Sequence, residues 1–572
     1  MAAPTRHALI HFKNALDTRR TTAFALAGYA LANAALQARI WPRLADYRPI
    51  GLALRVCVLG AACAAAALIA LAAPETTDGL AARSGDWLRT HRRASLALLV
   101  GASIALPLLI AYAVLDRFPN SGDEYAYLFQ AAQFAHGGLW APAPPLGDTF
   151  VAYRTWIIDG RWISQYPPGW PGILALAMAL GIPTWWTNPA LGASAAAALG
   201  SSLWNAHRAL VFAVAAAYLL SPFYLLNAAS YYSHVLAAST IALACLACRW
   251  HQIERRTLAL VLCGLLLGLI GLTRYFSVVL MVPALAFWTA SLARGTRLRA
   301  VAVVLLAGLP LLALLLAYQA SITGSPLRST YSLISVPDVQ LSLRPRDLLV
   351  GVALTRARIQ ELALWTSPLL PLVYAACLVY KLRRRALAFY DWIFPCFVLG
   401  YVLFPDLGGN RYGPRYYFDA LPMALITLAT AGWDLGREHL GTRRCLLSAL
   451  AISGLYALTA LPFVCRAYHE QVLQREEPYR LAATLGLSNA IVIIEHVNGR
   501  EMLEEDLARN DPGLQASVLY ARAGASVELL RRAFPARSIW RYETGSKRGG
   551  RLRCLWQPTA ADARDRMAVR AG

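Results

Sequence analysis

The sequence predicts an all-α polytopic membrane protein, with interfacial helices in its first large outer loop and a small α/β domain at its C-terminal end. Three observations carry this. The 572 residues are 58% hydrophobic and only 15% charged, where a soluble protein carries about a quarter charged residues. Mean hydropathy is +0.45, and apolar runs of roughly 20 residues, enough to cross a bilayer as helix, recur along most of the chain. The stretch 466–572 then changes character: it is charged and broken by turns such as Asp511-Pro512-Gly513.

The charge pattern points the same way. The net charge of +22 would suit a nucleic-acid partner, but the Arg residues fall in short clusters between apolar runs. That is the asymmetry of cytoplasmic loops, and it argues against nucleic acid. The ten cysteines are scattered, mostly inside apolar runs, so they read as small buried residues and not as a disulfide framework. The first twenty residues show no apolar segment ending in a small-residue cleavage site, so no cleavable signal peptide is expected.

Taken in order, residues 1–93 form an N-terminal extra membrane region. It holds a weak Ala-rich run at 21–38, a firmer span at about 51–73 and a basic cytoplasmic loop. A span at 94–115 leads outward to the loop 116–187. This loop carries five acids against three Arg over 116–169. Its apolar run 170–184 is short and closed by Pro183, Trp185 and Trp186, which predicts an interfacial helix. Spans are then expected over 188–203, 209–227, 234–250, 257–272, 275–291 and 300–320. An outer segment covers 321–361, and further spans 362–380, 390–405, 416–435 and 445–464. The total is about thirteen. The region 94–465 is the membrane domain. The parity of spans places 466–572 outside, with a strand at 490–497 and an amphipathic helix at 527–534.

Under this topology, drawn from Arg counts, one set of side chains falls on the outer face. Asp123 and Glu124 stand side by side after Asn120-Ser121-Gly122. Tyr166 precedes a Pro-Pro-Gly turn. Tyr231, Tyr232 and His234 share one short turn, Arg274 and Tyr275 another. Tyr331 lies in the segment after 320, and Arg411, Arg415 and Tyr416 in the turn RYGPRYY. Each also suits a plainer role. Acids in a first helical turn answer the helix dipole, Arg274 can snorkel to headgroups, His234 can close a helix end, and Tyr231 and Tyr232 can belong to an aromatic belt. Together they supply what sugar transfer from a lipid-linked donor needs. A carboxylate can take the acceptor proton, Arg forks can hold a leaving phosphate, and aromatic groups can seat the sugar. The other uses of such a groove are a transporter or flippase of lipid-linked glycans and a non-catalytic envelope scaffold.

The ordered series GDEYAYLFQAAQF, QYPPGWPGILAL, SYYSH, LTRYF, TGSPL and RYGPRYYFDALP resembles the GT-C superfamily of membrane glycosyltransferases. It is similar to the branch of protein O-mannosyltransferases and lipid A aminoarabinose transferases, glycosyltransferase family 39. The resemblance covers about 94–435 and implies a polyprenyl-phosphate sugar donor, inverting transfer and an acidic base in the first outer loop, which is Asp123 here with Glu124 beside it. By their own chemistry and shared outer face, Arg274, Arg411 and Arg415 are expected to bind donor phosphate, and Tyr166, Tyr231, Tyr232, His234, Tyr275, Tyr331 and Tyr416 substrate. The acceptor would be a lipid, glycan or protein, and a divalent cation is a possible cofactor. The setting would be a bacterial inner (plasma) membrane, with the site on the periplasmic or extracellular side. Two departures stand out. The turn that often carries a second acid holds Tyr231, Tyr232 and His234, and Tyr275 follows Arg274 where relatives often have Pro.

Overall fold

The computed structural model describes residues 83, 86–88, 90–333, 341–367, 370–405, 411–438, 440–494, 508–543 and 549–558. The expected spans 21–38 and 51–73 lie outside the described residues. The fold is mostly helical with two small sheets. Helix α1 (Arg92–Ala113) leads into the first outer loop. Beyond that loop come α4 (Thr187–Leu219), α5 (Pro222–Ala229), α6 (His234–Glu254), α7 (Thr257–Ser291), α8 (Arg294–Thr323), α9 (Pro345–Trp365), α10 (Leu370–Arg383), α11 (Ile393–Gly400), α12 (Leu421–Glu438) and α13 (Leu440–Thr484).

Two of these helices double back on themselves. In α7 the backbone of Arg274 leaves helical geometry, with φ −149° and ψ 77°. Cys263 on one side of the break and Trp288 on the other both reach Cys248 of α6. A straight helix would hold them about 37 Å apart at 1.5 Å per residue, so the chain reverses at Arg274. In α4, a Cβ on Gly192 would lie 2.4 Å from the Tyr224 hydroxyl, and the Tyr218 ring sits 4.9 Å from the Tyr224 ring. Both ends of α4 therefore meet one residue of α5, and the chain turns between them. The paired runs expected over 188–203 with 209–227 and 257–272 with 275–291 match these legs, although α4 ends at Leu219 and α5 starts afresh at Pro222 behind its Ser221 cap.

Among the described residues, α1, α7 and α8 are long and apolar enough to cross a membrane, and the bent pairs α5–α6 and α9–α10 raise that count from 3 to 5. Helix α8 shows what faces lipid: Leu298, Leu305, Leu306, Leu309, Leu312 and Leu314 are all exposed, as in a helix bathed in apolar solvent. Its packing against α7 needs small residues, because a Cβ on Gly264 would fall 2.2 Å from the Val304 carbonyl oxygen. Close backbone approach of this kind is how helices associate in lipid.

The segment 321–361, expected on the outer side, contains a helix that the sequence analysis did not give it. This is α9, which runs from Pro345 to Trp365 and is bent by 109° from α10. Arg344, Arg346, Asp347, Arg356 and Arg358 interrupt the apolar run and conceal a helix whose Leu349, Val350 and Val352 are exposed.

The first outer loop holds α2 (Gly122–Ala135) and α3 (Gly169–Ala179). With 11 residues, α3 reaches only about 16 Å, too short to span. The loop also forms a sheet that the sequence analysis did not anticipate. Strands β1 (Ala141–Pro142), β2 (Thr155–Ile158) and β3 (Arg161–Ser164) lie antiparallel in the order β1-β3-β2. Trp162 is fully buried and packs on Phe129 of α2.

Helix α13 runs across residue 466 into the C-terminal unit. There β4 (Ala490–Ile494) pairs in parallel with β5 (Val518–Ala521) and β6 (Ser538–Glu543), and β7 (Arg551–Trp556) closes the edge antiparallel to β6. The continuous run Ala490–Ile494 is buried throughout, as a central parallel strand should be. Helix α14 (Val527–Ala533) packs beside it.

Candidate active site

Asp123 and Glu124 sit in the first turn of α2. Ser121 is the N-cap, with φ −153° and ψ 162°, and its Oγ accepts the Glu124 backbone N–H at 3.1 Å. The Ser-x-x-Glu spacing is that of a capping box, but Glu124 is drawn elsewhere. Its Oε2 accepts the Tyr231 backbone N–H at 3.0 Å, and its Oε1 accepts the Ser121 hydroxyl at 3.1 Å. Tyr232 donates to Ser121 Oγ at 2.8 Å. Glu124 is fully buried and ties α2 to the α5–α6 turn. Burial pushes its carboxyl above the usual range, against the opposing pull of the Tyr231 N–H, Arg411 and Ser121.

Asp123 faces the other way. Tyr166 donates to its Oδ1 at 2.6 Å, Arg154 Nε lies 3.4 Å from the same oxygen, and Arg415 Nη2 donates to Oδ2 at 3.3 Å. The Arg415 guanidinium stacks 3.7 Å over the Tyr232 ring. Burial pushes the Asp123 carboxyl up, but Arg415, Arg154 and the Tyr166 hydroxyl outweigh it and hold it below the usual carboxylate range. Its side chain is 21% exposed.

A second cluster centres on Asp419, just before α12. Its Oδ1 is 2.8 Å from His234 Nδ1, and its Oδ2 accepts from Arg274 Nε at 2.9 Å and from Ser277 Oγ at 2.8 Å. Arg274 also donates to the Tyr401 hydroxyl at 3.3 Å. The reversal of α7 is what delivers Arg274 here, and α3 braces it. A Cβ at Gly169 would sit 2.5 Å from Thr273 Oγ1 and 2.8 Å from the Leu272 carbonyl oxygen, so only glycine lets the two backbones meet. Trp170 beside it donates to the Tyr231 carbonyl at 2.7 Å.

Aromatic rings join the clusters. Tyr166 lies between Tyr127 at 4.2 Å and Tyr331 at 6.0 Å, and Tyr331 meets Tyr275 at 5.9 Å. Tyr416 stacks on Tyr401 at 4.7 Å, and Arg358 lies over Tyr416. The expected residues thus lie in one region, Tyr275 joining through Tyr331 and Arg411 lying near enough to Glu124 to pull its carboxyl pKa down. The sequence analysis missed Arg154, Asp419, Ser277, Tyr127 and Arg358 as members. Asp419 had a signal, being an acid at the edge of an apolar run within RYGPRYYFDALP. Arg154 counted only as loop charge, because its approach to Asp123 depends on how the outer loop folds beyond α2.

Asp123 keeps an exposed face, whereas Glu124 and Asp419 keep none. Its neighbours are cations, and the oxygens of Glu124 and Asp419 are taken by N–H and O–H donors. Among the described residues no three His, Cys, Asp or Glu side chains gather as metal ligands.

Helices long and apolar enough to cross a membrane, together with a carboxylate–guanidinium cluster, give the class: an integral membrane protein. No protein-family model and no curated protein matches the sequence. Among solved structures the chain is similar to ArnT from Cupriavidus metallidurans bound to undecaprenyl phosphate, at 13% identity and a TM-score of 0.47, over 78% of this chain and 93% of that one. It is similar to the apo state of the same protein at 13% identity and a TM-score of 0.46, over 77% and 92%. No functional conclusion rests on a likeness this distant.

Proposed function

We propose that the chain is an integral membrane glycosyltransferase. It moves a sugar from a polyprenyl-phosphate donor to a lipid, glycan or protein acceptor at the outer face of a bacterial inner membrane, through about thirteen spans. The observation that carries this is Asp123, an accessible carboxylate set among Arg154, Arg415 and a wall of tyrosines, with Arg274 across the same site. The acceptor hydroxyl attacks the anomeric carbon, and its oxygen–carbon bond forms as the carbon–oxygen bond to phosphate breaks. The leaving polyprenyl phosphate takes the electron pair and is held by guanidinium forks. The hydroxyl proton passes to Asp123. Because Asp123 is held ionised but weakly basic, the proton moves late, when the attacking oxygen is already strongly acidic. Attack from the face opposite the phosphate inverts the sugar carbon.

The test is donor class. Purified protein in nanodiscs is offered one radiolabelled sugar either on a single-chain polyprenyl phosphate or on a soluble nucleotide. Acceptor-dependent release of polyprenyl phosphate is expected from the first alone. Direct use of the nucleotide sugar, or movement of the lipid across the bilayer with no new glycosidic bond, would overturn the proposal.

A further inference from the structure

The C-terminal unit grips the segment that aims Asp123. Tyr125 stands two residues beyond Asp123, on the opposite side of α2. Its hydroxyl donates to the Asn510 carbonyl oxygen and accepts the Asn510 N–H, the latter at 2.8 Å. Asn510 is itself fixed. Its Nδ2 donates to the Tyr520 carbonyl at 2.8 Å and to the Phe150 carbonyl at 3.1 Å, while its Oδ1 accepts the Tyr520 N–H at 2.8 Å. One buried side chain therefore joins strand β5, the first outer loop and, through its backbone, α2. Next to it, Arg509 donates to the Pro119 carbonyl and lies 4.7 Å over the Phe118 ring and 5.6 Å over Tyr125. From α13, Arg475 donates to the Asn120 carbonyl at 3.2 Å, and Gln471 accepts from the Asn120 amide at 3.1 Å. The grip also works in reverse. Phe150 of the outer loop is fully buried in the core of the C-terminal unit with Ile491, Ile493, Leu519 and Leu530, and Arg522 donates its N–H to the Thr149 carbonyl at 2.8 Å.

These contacts converge on residues 118–125, the turn and first helical residues that carry Asp123 and Glu124. We propose that Arg509 and Asn510 are positioning residues for the transfer reaction: the C-terminal unit, through the Asn510–Tyr125 and Arg509–Pro119 contacts, sets the rotation and entry angle of α2 and so the aim of the Asp123 carboxylate. They touch neither Asp123 nor the aromatic wall around it. The physical reason for such a device is tolerance. A displacement of about 1 Å at a reacting group can cost on the order of 10²-fold in rate, and the C-terminal unit adds a second anchor to a helix start that the α5–α6 turn already holds through Glu124 and Ser121.

This inference rests on the transferase proposal, so its experiment has one arm that needs no turnover. Full-length wild type, Asn510→Ala, Arg509→Ala and the milder Tyr125→Phe are purified, and amide exchange is followed across 118–125 and, as an internal control, across α6. Faster exchange in 118–125 with α6 unchanged is expected in all three, least in Tyr125→Phe. In the transfer assay kcat should fall about tenfold or more for Asn510→Ala with donor KM little changed, since positioning is lost and binding is not. Asn510→Asp keeps the Oδ1 acceptor but sets a buried carboxylate oxygen against the Tyr520 and Phe150 carbonyls, and should loosen 118–125 at least as much as Asn510→Ala. If 118–125 exchanges as in wild type in Tyr125→Phe and Arg509→Ala, the grip is not what orders the turn and the inference is overturned. Ordered loss in the exchange arm with no transfer even in wild type would leave the grip standing and remove the transferase proposal instead.

Discussion

At the scale of single residues, two adjacent acids have opposite environments. The cations beside Asp123 hold its carboxyl below the usual range, and the sign of its pH dependence follows. Its folded pKa is lowered, so the stability and the activity that depend on its charge are present above about pH 4, the ordinary carboxylate value, and are lost only as pH falls through the lowered one. Arg415→Gln removes one of those cations. It should move the acid limb of kcat/KM upward in pH while lowering the plateau, because Arg415 also serves the phosphate. An acid limb at the wild-type position in Arg415→Gln would contradict the pairing. Glu124 is raised by burial, so its protonated form is favoured by folding, an advantage lost as pH rises through the raised value. Glu124→Gln keeps the shape and an acceptor for the Tyr231 N–H, and replaces only the acceptor of the Ser121 hydroxyl with a donor. It should retain most of the melting temperature at neutral pH and reduce turnover far less than Asp123→Asn. A dead Glu124→Gln beside an active Asp123→Asn would exchange the two roles.

At the scale of elements, the reversals decide which groups meet. Because α7 turns back at Arg274, this residue arrives beside Asp419 and not in the middle of a span. The opposite ends of the same helices gather with the basic turns: Gln252 donates to Ser291 at 2.8 Å, and Arg299 to Thr257 at 3.3 Å. Lys381 and Asp391 form a buried pair at 2.5 Å beyond α10. The basic turns at 249–256 and 294–299 thus lie at the ends of α6 and α7 away from Arg274 and His234, and the positive-inside asymmetry leads us to expect that end in the cytoplasm. In a cysteine-free background, single cysteines at Ser332 and Gln515, both exposed, should react with an impermeant thiol reagent in intact spheroplasts. Gly295→Cys, where a Cβ meets nothing within 4 Å, should react only after lysis. The reverse pattern would place the site on the cytoplasmic face.

At the scale of the whole molecule, much of the architecture was legible because lipid simplifies the code. Apolar length marks helices, and Arg marks one side. The paired legs of α4 and α7 and the convergence of Asp123, Arg274 and Arg415 followed from that alone. Other parts were hidden for physical reasons. Helix α9 carries too many charges for an apolar average to register it. The strands β1, β2 and β3 are two to four residues long, too short to show a period, yet the loop that folds with them brings Arg154 to Asp123. Asp419 was quoted in a motif but had no assigned partner, since its pairing with His234 and Arg274 joins three separated stretches of chain. The grip of the C-terminal unit on α2 spans 385 positions in sequence, a distance no local pattern can report.

The central claim is that Asp123 receives the acceptor proton in sugar transfer from a polyprenyl-phosphate donor. The most direct measurement compares single-turnover transfer and donor binding in purified wild type and Asp123→Asn, with Asn keeping the size of the side chain and removing its basicity. The expected result is a transfer rate lower by about 100-fold or more, as general base catalysis supplies about 10²–10⁴, with donor affinity little changed. Near-normal transfer in Asp123→Asn, with Glu124→Gln also active, would contradict the mechanism.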